Sequence, residues 1–238
     1  MKNSKQIIFY ELFYNSSDKK TKLQKVEKKA IKSDHTFEIN HVVYSKDGNY
    51  IATTGVNNDT TVNIYNAHNL NKIEAVDINE LQNIHINFSP DDKYLTISTY
   101  MYEISVIEFK KSSKFNKNNN SEEVTTKVQK NRSIGGIKVP ILSYEFSNEH
   151  NYFVVSSMDN KIKVFQSFAP NYNLEESKCI REIDIDFDDE SFLPSVENIS
   201  MYVLETKQND FEAIIACSHN QNLYIFNSQG NVMRLINY

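Results

Sequence analysis

His35 is a residue of this chain whose type could serve as a metal ligand or a catalytic group, with Thr53, Asp59 and Tyr65 as its candidate hydrogen-bond partners. An imidazole, a carboxylate and hydroxyls supply the parts of general acid–base catalysis when they converge in a cleft. Asp159 could pair with Asp59 as a second carboxylate. His85 could ligate a metal, but no Cys or His stands at a useful spacing from it. Ser89 and Ser147 lack the Gly-x-Ser-x-Gly elbow that exposes a nucleophilic serine. Five glycines, none at phosphate-loop spacing, exclude a Gly-rich nucleotide cradle. Cys179 and Cys217 form neither a Cys-x-x-Cys pair nor a disulfide framework, which fits a reducing compartment. Cys217, inside Ala213-Ile214-Ile215-Ala216-Cys217, reads as a buried structural thiol.

The elements that must position these residues are short strands. Hydrophobic content of 39% with 12% aromatics and no Trp places most of the 238 residues in a folded domain rather than a disordered one. The net charge of −5 gives no overall field for nucleic acid. Only three basic residues, Arg132, Arg181 and Arg234, are arginines, a poor supply of bidentate phosphate readers. No run reaches membrane-spanning length, and Lys5, Glu11 and Asp18 interrupt any signal-peptide pattern.

One word recurs along the chain. Tyr44-Ser45-Lys46-Asp47-Gly48-Asn49-Tyr50 returns as Phe88-Ser89-Pro90-Asp91-Asp92-Lys93-Tyr94 and as Phe146-Ser147-Asn148-Glu149-His150-Asn151-Tyr152. Each copy is a strand end, a tight turn and a strand start. Asp59-Thr60-Thr61-Val62-Asn63-Ile64-Tyr65-Asn66 and Asp159-Asn160-Lys161-Ile162-Lys163-Val164-Phe165-Gln166 follow two of them. These residues resemble degenerate WD40 repeats, whose units are four-stranded propeller blades. The family's Trp position is then filled by Tyr10, Tyr65, Ile107, Phe165 and Phe226.

At its repeat position His35 is expected to join Thr53 and Asp59 in a buried structural network rather than a catalytic one, with the Tyr65 hydroxyl replacing the indole N–H. Asp159 is expected to stabilise its own turn, and Phe165 and Phe226 to pack the core. Asp92 replaces the usual turn Gly, which implies strain at positive φ. The second blade, with Asn79, Met101 and Ile107 at the His, Asp and Trp positions, is expected to rest on packing alone. In the third, Gly135-Gly136 and Ile137 stand at the Gly-His position.

The expected fold is all-β: a partial WD40 propeller of about four blades plus an N-terminal half-blade. Residues 1–34 form the half-blade and linker, with Gln6-Ile7-Ile8-Phe9-Tyr10-Glu11 as a third strand and 23–28 as a fourth. Blades follow at 35–78, 79–133, 134–185 and 186–238, the last the most degenerate. Residues 110–132 read as a long polar loop of low complexity, 170–177 and 184–190 as loops flanking an outer strand near 180–185. Two strands absent before Gln6 suggest a fragment, or a chain completed by another.

Asn79-Glu80-Leu81-Gln82-Asn83-Ile84-His85 entering before Phe88-Ser89-Pro90, then Glu108 ahead of a Lys-rich stretch, then Ser143-Tyr144-Glu145-Phe146-Ser147-Asn148, resembles the transducin beta-like 2 family. That resemblance implies a seven-bladed cytosolic scaffold, anchored to the endoplasmic reticulum and tied to stress signalling and translational control through a stress-response kinase. The anchor has no counterpart here.

The expected function is non-enzymatic: a cytoplasmic scaffold that binds protein partners through loops converging on one propeller face, with no cofactor and no metal. No converging acid, base or metal ligands support an enzyme. The alternative is a ribosome- or RNA-associated propeller using the Lys-rich 110–132 segment. No adjacent Arg pair supports phosphoinositide binding.

Overall fold

The computed structural model describes residues 6–15, 20–57, 59–78, 83–99, 103–116, 121–133, 137–147, 152–166, 177–184, 198–207, 210–219 and 222–237. Every regular element among them is a β-strand. Strands β1 (Gln6–Asn15) and β2 (Lys20–Lys32) pair as a two-stranded half-blade. Four antiparallel meanders follow. Blade one is β3 (Ile39–Tyr44), β4 (Tyr50–Gly55), β5 (Thr61–Asn66) and β6 (Lys72–Asp77). Blade two is β7 (Asn83–Phe88), β8 (Tyr94–Thr99), β9 (Glu103–Asn116) and β10 (Ser121–Ser133). Blade three is β11 (Ile141–Phe146), β12 (Tyr152–Ser157), β13 (Lys161–Gln166) and β14 (Lys178–Asp184). Blade four is β15 (Asn198–Lys207), β16 (Asp210–His219), β17 (Asn222–Asn227) and β18 (Val232–Asn237). The first strands touch in sequence order, β3 on β7, β7 on β11 and β11 on β15, so they form the inner wall of a partial WD40 propeller.

The recurring word makes the turn between the first two strands of blades one and two. Ser45 Oγ donates to Asp47 Oδ1 at 2.7 Å and accepts the Tyr50 N–H at 2.9 Å, with Gly48 at φ 72°. Ser89 repeats both bonds, to Asp91 at 2.7 Å and from Tyr94 at 3.1 Å, with Asp92 at φ 55° in the glycine's place. A short hydroxyl thus closes the turn that the backbone alone would leave open.

Apolar residues on alternate strand positions bury the blades against one another. Tyr50, Ala52, Val62, Ile64 and Val76 of blade one meet Ile86, Phe88, Leu95, Ile97 and Ile107 of blade two. Ile104 and Val106 meet Tyr144, Phe146, Phe153 and Phe165 of blade three. Tyr152, Val154, Ile162, Val164 and Ile183 meet Met201, Val203, Ile215, Cys217 and Phe226 of blade four. The half-blade closes on blade one through Ile7 and Phe9, which pack against Ile51 and Tyr65.

The described parts of the expected 110–132 loop are strand: 110–116 is the outer part of β9 and 121–132 nearly all of β10, paired from Ser121 with Asn116 to Ser133 with Glu103. Its Lys, Asn and Ser content outweighs the strand signal in composition, but Val124-Thr125-Thr126 and Val128 are β-branched residues that suit a pleated ribbon. The outer strand expected near 180–185 is β14, which begins two residues earlier, at Lys178. The expected loops at 170–176 and 185–190, and the expected roles of Asn79, Met101 and Gly135-Gly136, lie outside the described residues.

Candidate functional site

The densest polar cluster lies at the entrance to blade one. The segment between β2 and β3 brings in His35, the middle of β4 brings Thr53, and the β4–β5 connection brings Asp59. The His35 side chain is completely buried. Its Nδ1 lies 3.0 Å from Asp59 Oδ2 and its Nε2 lies 2.9 Å from Thr53 Oγ1. Asn63 Nδ2 also reaches Nε2, at 3.2 Å. A carboxylate can only accept and an amide NH2 can only donate, so the neutral tautomer with the proton on Nδ1 satisfies all three contacts.

Asp59 is held from the other side by the Thr36 N–H at 2.9 Å, the Thr61 N–H at 3.1 Å and the Thr61 hydroxyl at 2.5 Å. Burial alone would raise its pKa; these donors outweigh burial, and the carboxyl sits below the ordinary 3.8. Gly55 makes room for it, since a Cβ there would lie 2.6 Å from Asp59 Oδ2. The cluster is closed to solvent and each ring nitrogen is engaged, so it ties three parts of blade one together and offers no exposed base.

Tyr65 does not complete this network. Its hydroxyl lies near Ser33 and the Asp34 backbone but forms no hydrogen bond. An indole carries its N–H on the side of the ring, whereas a phenol carries its hydroxyl at the tip. The ring instead packs with Ile51 against Ile7 and Phe9. Asn63 supplies the missing contact. Strand alternation places it on the same face as Tyr65, and that polar residue between Val62 and Ile64 was the sequence signal for it.

The other singled-out residues lie in separate blades. Asp159 accepts from the Ser157 hydroxyl at 2.6 Å and from Lys163 Nζ at 2.5 Å, within its own turn. Phe165 stacks on Phe153 with centroids 5.0 Å apart, and Phe226 is buried between blades three and four. No chemistry links Asp59 with Asp159.

Blade two does not rest on packing alone. The Asp92 carboxylate accepts the Lys46 N–H at 2.7 Å and the Asp47 N–H at 2.9 Å, across the blade boundary. The positive φ expected to cost strain thus aims a carboxylate at two backbone amides of blade one's turn. The Tyr144 hydroxyl of blade three donates to Thr96 Oγ1, which itself donates to Asn87 O at 3.0 Å. The His85 ring meets His41 edge-on at 4.8 Å and Tyr144 at 5.5 Å. Burial, reinforced by His41, lowers the pKa of His85 to about 4, so its ring is neutral near pH 7.

The inner strands also present side chains that no blade covers. Val42 and Tyr44 of β3 and Tyr202 and Leu204 of β15 are exposed. Between them lies Glu145 of β11, whose pKa burial raises against the opposing effects of Ser200 and Lys46. Among the described residues no group of three or more His, Cys, Asp or Glu could hold a metal ion. No helix there is long and apolar enough to cross a membrane.

Two family models match the chain. That described as "Eukaryotic translation initiation factor eIF2A" matches residues 3–111, less than half of the chain, from the half-blade into β9. That described as "WD domain, G-beta repeat" matches residues 130–166, ending with β13. Neither is a model of the transducin beta-like 2 family. No curated protein matches the chain.

Proposed function

We propose that this chain is a non-enzymatic propeller scaffold that binds proteins of the translation-initiation machinery. The observation that carries the reading is the match of residues 3–111 to the eIF2A family, which spans the half-blade, blade one and the core strands of blade two. The buried His35 cluster supports the non-enzymatic part, because its side chains are spent on holding strands together. Partner contact then falls to exposed side chains such as Phe37, Val42 and Tyr44, each a few residues from that rigid cluster. The finer form of the proposal, drawn from the sequence resemblance, makes the partner a stress-response kinase met at the cytosolic face of the endoplasmic reticulum.

Quantitative affinity capture from a translating lysate tests this. Initiation factors or small-subunit proteins should be enriched over an unrelated propeller of similar charge, and Tyr44→Ala should reduce that enrichment. Equal recovery by the two propellers would refute the proposal.

One observation favours a second reading, direct contact with ribosomal RNA. β9 pairs with β8 only from Ile104 to Glu108; beyond, Phe109–Asn116 pairs with β10 alone. At about 3.3 Å per residue, that ribbon extends on the order of 25 Å past the blade. It carries Lys110, Lys111 and Lys114 against Glu122 and Glu123, and Lys127, Lys130 and Arg132 follow on β10 alongside the blade, in a chain of net charge −5. RNA affinity that falls steeply with salt, and whose salt slope flattens when Lys110, Lys111 and Lys114 become glutamine, would establish this reading over the first.

A further inference from the structure

Two histidines stand at one repeat position in neighbouring blades. His41 lies on β3 just ahead of the turn word that opens at Tyr44, and His85 lies on β7 at the same spacing from Phe88. A register shift precedes each of them, between Ile39 and His41 in blade one and between Asn83 and His85 in blade two. Such bulges re-aim the side chain that follows, and they gather beside functional sites. β3 and β7 touch along the inner wall. The two imidazoles meet across that blade boundary with ring centroids 4.8 Å apart.

That separation has a chemical meaning. With a Zn–N bond of about 2.0–2.1 Å, the centre of a ligating imidazole stands about 3.2 Å from the ion, so two such rings on one ion, at angles from square to tetrahedral, have centres about 4.5–5.2 Å apart. The His41–His85 distance falls inside this range. The planes are inclined at 73°, which ligation permits because each ring can turn about its own metal–nitrogen bond. Both residues are half-buried, which leaves a path for an ion and for the waters that complete its shell.

The surroundings supply what ligating imidazoles need. His41 stands opposite Thr54 in the β3–β4 ladder, and His85 stands opposite Ser98 in the β7–β8 ladder. Both hydroxyls are fully buried, and neither has a hydrogen-bond partner. An unpaired buried hydroxyl is costly. A metal-bound imidazole gives its other N–H to an acceptor that fixes the ring, and each histidine has an unused acceptor beside it on the same face. His85 is neutral near pH 7, so no proton has to leave before an ion binds. Two imidazole nitrogens favour a borderline ion over Mg²⁺ or Ca²⁺, which take oxygen ligands.

We propose that His41 and His85 hold a divalent ion of the zinc class between blades one and two, with water in its remaining positions and the Thr54 and Ser98 hydroxyls accepting the outer ring N–H groups. The partner that sequence spacing denies to His85 is supplied by the neighbouring blade. The ion clamps β3 to β7 at the inner wall, where the two rings otherwise meet only edge to face.

Isothermal titration calorimetry of the full chain at pH 7, with Zn²⁺ and with Mg²⁺, tests this. Zn²⁺ should bind with a stoichiometry of one, and Mg²⁺ should give no binding heat. His41→Gln and His85→Gln should each weaken Zn²⁺ binding at least about tenfold. His68→Gln, in the exposed β5–β6 turn, should leave it unchanged. Imidazole ¹⁵N signals of the wild-type chain give a readout that needs no variant, since substoichiometric Zn²⁺ should move those of His41 and His85 together. Binding that survives both substitutions, or shifts confined to other histidines, would overturn the proposal in favour of an adventitious surface ion. No heat and no shift at millimolar Zn²⁺ would overturn it outright. Circular dichroism of each variant separates a lost site from a lost fold.

Discussion

Replacing His35 by alanine should be among the most damaging single changes in blade one, whereas Tyr65→Phe, one residue of the same polar neighbourhood, should cost almost nothing. The histidine holds three buried partners: Asp59 at 3.0 Å, Thr53 at 2.9 Å and Asn63 at 3.2 Å. Without it Asp59 keeps the Thr36 amide and both donors of Thr61, so its loss is partial. Thr53 and Asn63 lose their contacts with the ring. Each such orphan costs about 1–3 kcal/mol, and the vacated ring leaves a void besides, so His35→Ala should destabilise by about 3–5 kcal/mol. That is a large part of the stability of an ordinary domain. The Tyr65 hydroxyl has no hydrogen-bond partner, so deleting it should shift stability by no more than about 0.5 kcal/mol, with a gain as readily as a loss. Equilibrium urea unfolding at pH 7 measures both, with the m-value checked for constancy. A cost below about 1 kcal/mol for His35→Ala would sink the argument that this cluster holds the blade. A loss of 1.5 kcal/mol or more for Tyr65→Phe would mean that the hydroxyl does replace the indole N–H after all.

Further expectations concern separate contacts. Gly55→Ala places a Cβ 2.6 Å from the Asp59 carboxylate and should cost stability by displacing it from its donors; an unchanged unfolding midpoint would refute the packing argument. Asp92→Ala removes the acceptor shared by the Lys46 and Asp47 amides and should cost about 1–3 kcal/mol. Hydrogen exchange at those two amides should accelerate, while Asp92→Asn, which keeps one acceptor and tolerates positive φ, should retain part of the protection. His85 titrates near 6.5 in the unfolded chain and near 4 when folded, so its contribution is complete above about pH 6.5 and is lost as pH falls toward 4. The loss amounts to about 3 kcal/mol. Glu145, raised by burial, contributes with the opposite sign, so the comparison is with His85→Asn, which should flatten the fall. Burial pushes the Cys217 thiol up to about 12, so a thiol reagent at pH 8 should modify it only on unfolding.

What the sequence disclosed and what it withheld follow from the reach of each signal. The Ser-x-Asp-x turn word is local: Ser45 and Ser89 bond to residues two and five positions away, so the blades they begin could be read directly. The ribbon of 110–116 and 121–132 was hidden because its two strands pair with each other, and its sequence lacks the apolar alternation that marks a half-buried strand. Asn63 and Asp92 were missed for another reason. Each acts on a segment whose proximity is created only by folding, 28 residues away for His35 and 46 for Lys46.

That difference bears on how a propeller without tryptophan stays in register. The usual indole is replaced by Tyr65, Ile107, Phe165 and Phe226, apolar fillers that pack well but specify no direction. Packing alone tolerates slippage, whereas a buried polar group must find its one partner. The chain meets this need with few groups. His35 fixes β4 and β5 within blade one, Asp92 fixes blade two on blade one, and the Tyr144 hydroxyl on Thr96 fixes blade three on blade two. At the next boundary the apolar cluster runs from Tyr152 to Phe226, and Glu145 of β11 bonds the Ser200 side chain of β15. Burial penalises the charge of that carboxyl and so weakens the tie, and the junction between blades three and four should be the first to open under denaturant. Site-resolved hydrogen exchange in low urea would show β15–β18 exchanging together before β3–β6; the reverse order would mean that apolar area, not the polar ties, sets the order of opening.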